Sequence, residues 1–192
     1  MAFNIDTFIS RGLVKGGARP SLFDVEVVFP VEVGDLPAGA LELTDRIRFT
    51  CRASSIPAST IASVDVPYFG RMTKLAGDRT FADWSVTVMN DEDYVVRNAF
   101  EAWHNAINSI VSNRRTTSPS GYKGTATVRQ YSKDGSDQFI KAYTFADIFP
   151  VQLDEMALDW EATNQIQTFG VTFAYNYWVP ISPTPPSIDV NA

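Results

Sequence analysis

At 192 residues the chain can support one sizeable core, and a fold of that length buries roughly 70% of the surface its unfolded chain exposes. Hydrophobic residues make up 45%, charged residues 20% and aromatic residues 12%, a globular composition rich in strand-favouring side chains. A net charge of −6 argues against gripping nucleic acid through phosphates, and one cysteine (Cys51) and one histidine (His104) allow neither an intramolecular disulfide nor a Cys/His zinc set.

The opening residues predict a short helix over 5–14, ending at Gly16 and Gly17. They carry no basic patch followed by an apolar run, so no signal peptide is expected. No stretch approaches the ~20 apolar residues of a membrane span, and a soluble, cytoplasmically made chain is expected. LFDVEVVF (22–29) alternates, with Phe23, Val25, Val27 and Phe29 on one face and Asp24 and Glu26 on the other, as a half-buried strand does. PVEVGDLPAGALELTD, residues 30–45, reads as an acidic surface excursion. RIRFTCRA (46–53) predicts a second strand with Ile47, Phe49, Cys51 and Ala53 inward, which makes Cys51 a small core residue rather than a catalytic thiol.

Residues 60–76 read as two extended segments forming a projecting hairpin, with Pro67 marking a turn or an edge. Its polar positions include Ser63, Asp65 and Lys74. DWSVTVM (83–89) predicts a strand with Trp84, Val86 and Val88 inward. Val96, Phe100, Trp103, Ile107 and Ile110 step by four, three, four and three, one face of a helix over about 91–111. Asn90 or Asp91 would cap it, with Asp91, Glu92 and Asp93 in the first turn, where the helix dipole favours negative charge. Those carboxylates therefore read as a helix start rather than an acid/base site. Asp78 reads as a turn residue after Gly77, and His104, on the face of Arg97, Glu101 and Asn108, as a solvated surface histidine.

NRRTTSPSGYKG (113–124) is a loop whose Arg114, Arg115 and Lys123 could meet an acidic partner. TATVRQY predicts a strand, and DQFIKAYTFADIFPVQL a longer one interrupted at Pro150. QIQTFGVTFAYNYW (165–178) is the longest alternating run, with Phe169, Val171, Phe173, Tyr175 and Tyr177 on one face and Thr168, Thr172 and Asn176 on the other. A proline-rich tail follows, expected to be extended and mobile. No nucleophile elbow, phosphate-binding loop or dinucleotide turn is present. The expectation is seven or eight strands, one firm helix, no enzyme activity, no cofactor and no metal. Sheets with long open edges suit self-assembly, because neighbouring copies complete them.

ARPSLFDVEV, PYFGRMTKLAGDRTFADWSVTVMNDEDYVVRNAFEAW, YKGTATVRQYSKDG and LDWEATNQIQTFGVTFAYNYW resemble, in order, blocks of the tail tube proteins of contractile-tailed phages of the T-even type. The resemblance runs from about residue 18 to 178; residues 31–45 and those after 179 depart from it. It implies a mainly β protomer, sandwich or barrel-like with a flanking helix, in a single domain over 1–179 with an N-terminal arm (1–20) and a tail (180–192). Six protomers would form a ring with a continuous inner β-barrel, and rings would stack into a hollow tube. The implied partners are further copies of the chain, a sheath, a tape-measure protein, and baseplate and terminator proteins, with DNA in transit and no membrane anchor. The implied location is the virion tail, assembled in the host cytoplasm.

Within that frame, Pro67, Tyr68, Phe69, Gly70 and Arg71, with Asp78 and Arg79, are expected to make contacts between rings or subunits. Ser63, Asp65, Lys74, Thr168, Thr172 and Asn176 are candidates for the channel wall. A tube subunit of a type VI secretion-like or extracellular injection machine, delivering protein, is the near alternative. A monomeric β-sandwich binding domain or hydrolase is the distant one.

Overall fold

Alternating apolar residues build the sheet that organises the molecule. The computed structural model describes residues 4–14, 16–34, 36–115, 117–133 and 138–182. Seven strands pair antiparallel throughout: β1 (Phe23–Val28), β2 (Cys51–Ser54), β5 (Trp84–Met89), β6 (Gly124–Tyr131), β7 (Phe139–Leu153), β8 (Thr168–Ala174) and β9 (Tyr177–Ile181). Their order is β1-β6-β7-β8-β5-β2, with β9 added to β7. β3 (Thr60–Tyr68) and β4 (Arg71–Thr80) form a separate two-stranded sheet. Three helices lie among the described residues: α1 (Ile5–Gly12), α2 (Ala40–Thr50) and α3 (Val95–Ile107).

β7 joins the two halves of the array. Its first part pairs with β6 and β9, and its last part, from Phe149, pairs with β8. Asp147, at φ 59, sits where the partners change, a left-handed conformation that aspartate tolerates better than most residues. The Asn176 side chain donates to the Asp147 carboxylate at 2.6 Å, and the Asn176 backbone N–H donates to the Ala146 carbonyl.

Both halves and two helices close over one core. Val25, Val27 and Phe29 bring one side, and Val86, Val88, Phe169, Val171 and Phe173 the other. Trp84 links them, stacked on Phe145 with centroids 4.4 Å apart and 5.5 Å from Phe173. From α3, Val96, Ala99, Phe100 and Trp103 are buried, and the Trp103 indole N–H donates to the Tyr122 carbonyl at 2.7 Å. Each large apolar side chain so buried contributes about 1.5–3 kcal/mol.

Several sequence expectations are corrected. Residues 46–50 are helix, not strand. Leu43 and Ile47, four apart, both point into the core, and Glu42 pairs with Arg46 at 3.1 Å along the same helix. Phe49 is therefore exposed, and the last six residues of the supposed excursion, from Ala40, belong to α2. Val33 is buried as well. α3 begins at Val95 behind Tyr94 (φ 53), with no side-chain cap and no acidic residue in its first turn. Asp91 and Asp93 instead face Arg46 of α2, at 3.5 and 3.8 Å. Ile110 lies beyond the helix and is exposed.

Pro150 does not interrupt β7; the strand accommodates it at a register shift between Pro150 and Gln152, where a missing N–H costs no regular ladder bond. The run 165–178 is two strands, because the chain breaks after Ala174 to turn at Asn176. Tyr175 is half-buried and Tyr177 exposed. Asp24, on the supposed polar face of β1, is buried and held by Arg48 at 2.7 Å, by the Tyr131 hydroxyl at 3.0 Å and by Arg129, which also pairs with Glu26. Residues 183–192 of the expected tail lie outside the described residues.

At Gly124 there is no room for a side chain. A Cβ there would meet the Val28 carbonyl oxygen at 2.5 Å and the Trp103 ring at 3.0 Å. Gly124→Ala is expected to cost about 1–3 kcal/mol, the usual price of overpacking, read as a lower urea midpoint with an unchanged slope.

Candidate self-assembly surfaces

The hairpin β3–β4 is built by short-range pattern alone. The pairs Val64↔Leu75 and Val66↔Thr73 share one face, and Asp65↔Lys74 places opposite charges across the other. Phe69 (φ 43) and Gly70 (φ 78) make the two-residue turn, both with the positive φ of the tight turn that matches strand twist. Pro67 sits inside β3, opposite Met72, so the turn falls two residues after it. The hairpin runs on to Thr80, which puts Asp78 and Arg79 in β4 at its root, with Arg79 opposite Ile61. They are neither a turn nor neighbours of the tip. Gly77 permits close approach at the root, where a Cβ would lie 3.1 Å from the Ala62 carbonyl oxygen.

No residue of β3 is buried, and of β4 only Gly77 is even half-covered. Tyr68 and Phe69 project from the tip, their rings edge-on at 4.7 Å, with Phe69 91% exposed. The root, by contrast, is clamped. The Trp84 and Trp178 indole N–H groups donate to the carbonyls of Ser55 (3.0 Å) and Ala58 (3.3 Å). Phe81, on the other leg, packs against Tyr175 and Trp178. Sequence periodicity placed Trp178 in a strand but gave no sign of this anchoring, because it joins residues more than a hundred positions apart.

A second surface is the outer face of β5 and β8. Alternation turns Val86, Val88, Phe169, Val171 and Phe173 inward, and leaves Ser85, Thr87, Thr168, Gly170 and Thr172 outward. Ser85 and Thr172 hydroxyls hydrogen-bond across the strands at 3.0 Å. Asp154 lies over Gly170, where a Cβ would touch its carboxylate, and accepts from Gln152 at 2.8 Å. Neither β5, β8 nor β7 after Asp147 carries a lysine or arginine. Of the channel-wall candidates, Thr168 and Thr172 share this face, Ser63, Asp65 and Lys74 ride on the hairpin, and Asn176 braces the bend at Asp147.

Elsewhere, the cationic loop is partly committed: Lys123 lies 3.6 Å from Asp147, and the Arg115 guanidinium lies over the Tyr122 ring at 5.8 Å. His104 is not a solvated surface residue. It is half-buried in a groove of about 520 Å³ lined by Ile107, Phe149, Val151 and Leu153, and its Nε2 has no partner among the described residues. Burial lowers its pKa, the Arg97 charge adds to that, and Glu101 opposes it. Cys51 is half-buried at the start of β2, where burial pushes its thiol up to about 11 and keeps it protonated. Among the described residues no group of acidic, histidine or cysteine side chains is placed to hold a metal ion, and no described helix is long and apolar enough to cross a membrane.

A family model described as phage tail tube protein matches residues 18–180. The chain belongs to the phage tail tube protein family. It is 36% identical over 171 residues to the tail tube protein gp19 of Enterobacteria phage T4, covering 88% of this chain and 96% of that one. Among solved structures, the tail tube fold matches the sheath/tube terminator of an extracellular contractile injection system at TM-score 0.62, with 15% identity, covering 88% of this chain and 99% of that one. It matches a sheath–tube complex chain of such a system at TM-score 0.54, with 13% identity, covering 94% and 99%. Tail tube proteins are structural subunits, not enzymes, and the chain is read as one.

Proposed function

We propose that six copies of this chain form a ring, that rings stack into a tube inside a contractile sheath, and that genomic DNA leaves the particle through the bore. Among the described residues no further strand pairs with β1 or β2 at the ends of the sheet order, so neighbours in a ring can extend the sheet there. The tape-measure, baseplate and terminator proteins are the expected axial partners, and the virion tail the expected location.

The observation that carries the conduit reading is the outer face of β5 and β8, polar and free of cations. A channel for DNA must not hold its cargo, and each lysine or arginine on phosphate adds salt-dependent binding. Hydroxyl groups and a carboxylate leave a polyanion unbound. Thr168 and Thr172 are therefore assigned to the channel wall. Protein delivery by the same architecture is the second reading, favoured by the fold match to extracellular injection machinery.

Thr172→Arg is the direct test. It places one cation per subunit on the proposed wall while leaving the hairpin and core untouched. Tubes of normal length should assemble by negative-stain imaging, and DNA release should slow at least about tenfold, more steeply at low ionic strength. Unaltered release kinetics would remove this face from the bore.

A further inference from the structure

Strand register fixes which features share an end of the molecule. β5 and β8 pair Trp84 with Phe173 at one end and Met89 with Thr168 at the other. The hairpin enters β5 at the Trp84 end. The connection from β7 to β8, residues 155–167, enters β8 at the Thr168 end, tied there by Asn90 to Gln167 hydrogen bonds. Hairpin root and connecting loop therefore attach at opposite ends of the same strands.

The two ends are complementary in charge and alike in exposed apolar surface. The loop displays Leu158 (85% exposed), a fully exposed Trp160 and Ile166. Glu155, Asp159 and Glu161 lie among them in the sequence, and residues 155–167 contain no lysine or arginine. Among the described residues none of these three carboxylates forms an ion pair, and neither does Arg71 at the hairpin tip. A fully exposed tryptophan beside aliphatic residues, rimmed by charge, has the composition of an interface centre.

Resting on the stacking of rings proposed above, here taken as head-to-tail, we infer that the hairpin tip of one copy docks on the 155–167 loop of the copy stacked against it. Tyr68 and Phe69 pack on Leu158 and Trp160, and Arg71 enters the carboxylate rim. The occupant is a second copy of this chain because each molecule carries both halves of the contact, on elements attached at opposite ends of β5 and β8. Such a contact joins unlike patches and repeats along an axis without closing.

The test uses the full chain in baseplate-nucleated assembly. Arg71→Glu alone, and Asp159→Lys with Glu161→Lys, should each reduce tube yield at least about tenfold, because like charges then face each other across a buried contact. Combining all three substitutions in one chain should recover assembly. In a Cys51→Ser background, Phe69→Cys with Trp160→Cys should give, on oxidation of formed tubes, a ladder of covalent multimers. Wild-type assembly by the loop variant, with no ladder, would overturn the docking site while leaving stacking intact, and would assign the Trp160 patch to another protein. Failure of the unmodified chain to form tubes at all would overturn the stacking itself and this contact with it.

Discussion

Tyr68→Asp is expected to give a soluble, fully folded protomer that no longer polymerises. Tyr68 is 70% exposed and belongs to a hairpin with no buried residue, so the substitution removes nothing from the core. Thermal or urea stability should change by less than about 0.5 kcal/mol, as for most exposed positions. Assembly should fail because a carboxylate would have to be buried, unpaired, in the contact between rings, a cost of several kcal/mol per subunit repeated around the ring. Circular dichroism and an urea curve check the first half, and negative-stain imaging after nucleation the second. Normal-length tubes built from this variant would remove the hairpin from the stacking interface.

Trp84→Ala is expected to have the largest effect on folding, about 3–5 kcal/mol, the range for truncating a buried tryptophan. Its ring touches both parts of the array through Phe145 and Phe173, and its N–H holds Ser55 at the hairpin root. Chemical denaturation should show a large drop in midpoint. Trp84→Phe keeps a stacked ring, loses the hydrogen bond and part of the buried ring volume, and should recover much of the difference. A loss below about 1 kcal/mol for the alanine variant would mean that the two parts of the array do not depend on this joint.

Features governed by one local periodicity were legible in the sequence. The inward faces of β1 and β5, the buried stripe Val96, Phe100 and Trp103, and the hairpin all follow from side-chain spacing and turn chemistry. Reading failed where two periods overlapped or where a distant contact decided the outcome. Ile47 and Phe49 alternate like a strand, yet Leu43 and Ile47 also fit a helix, and the helical set won because it faces the core. The acidic residues 91–93 looked like a helix start because the sequence does not show Arg46 waiting on a different helix. Asp24 looked solvent-facing because its cationic partners lie 24 and 105 residues away. Among the proposed assembly surfaces, the hairpin was readable, whereas the exposure of Leu158 and Trp160 was not, since apolar residues in a loop carry no period that says which way they face.

The hairpin has a consequence for when assembly begins. A lone two-stranded ribbon is only marginally stable in water, and here nothing in its own subunit covers it beyond the clamped root. A free subunit meeting another free subunit must order two such arms for a single junction. In the proposed stack, a subunit arriving at a growing end would meet arms already fixed by their neighbours, which makes elongation less costly than initiation. For the proposed stack, that asymmetry predicts a lag phase and a threshold concentration, with subunits accumulating unjoined until a template is present.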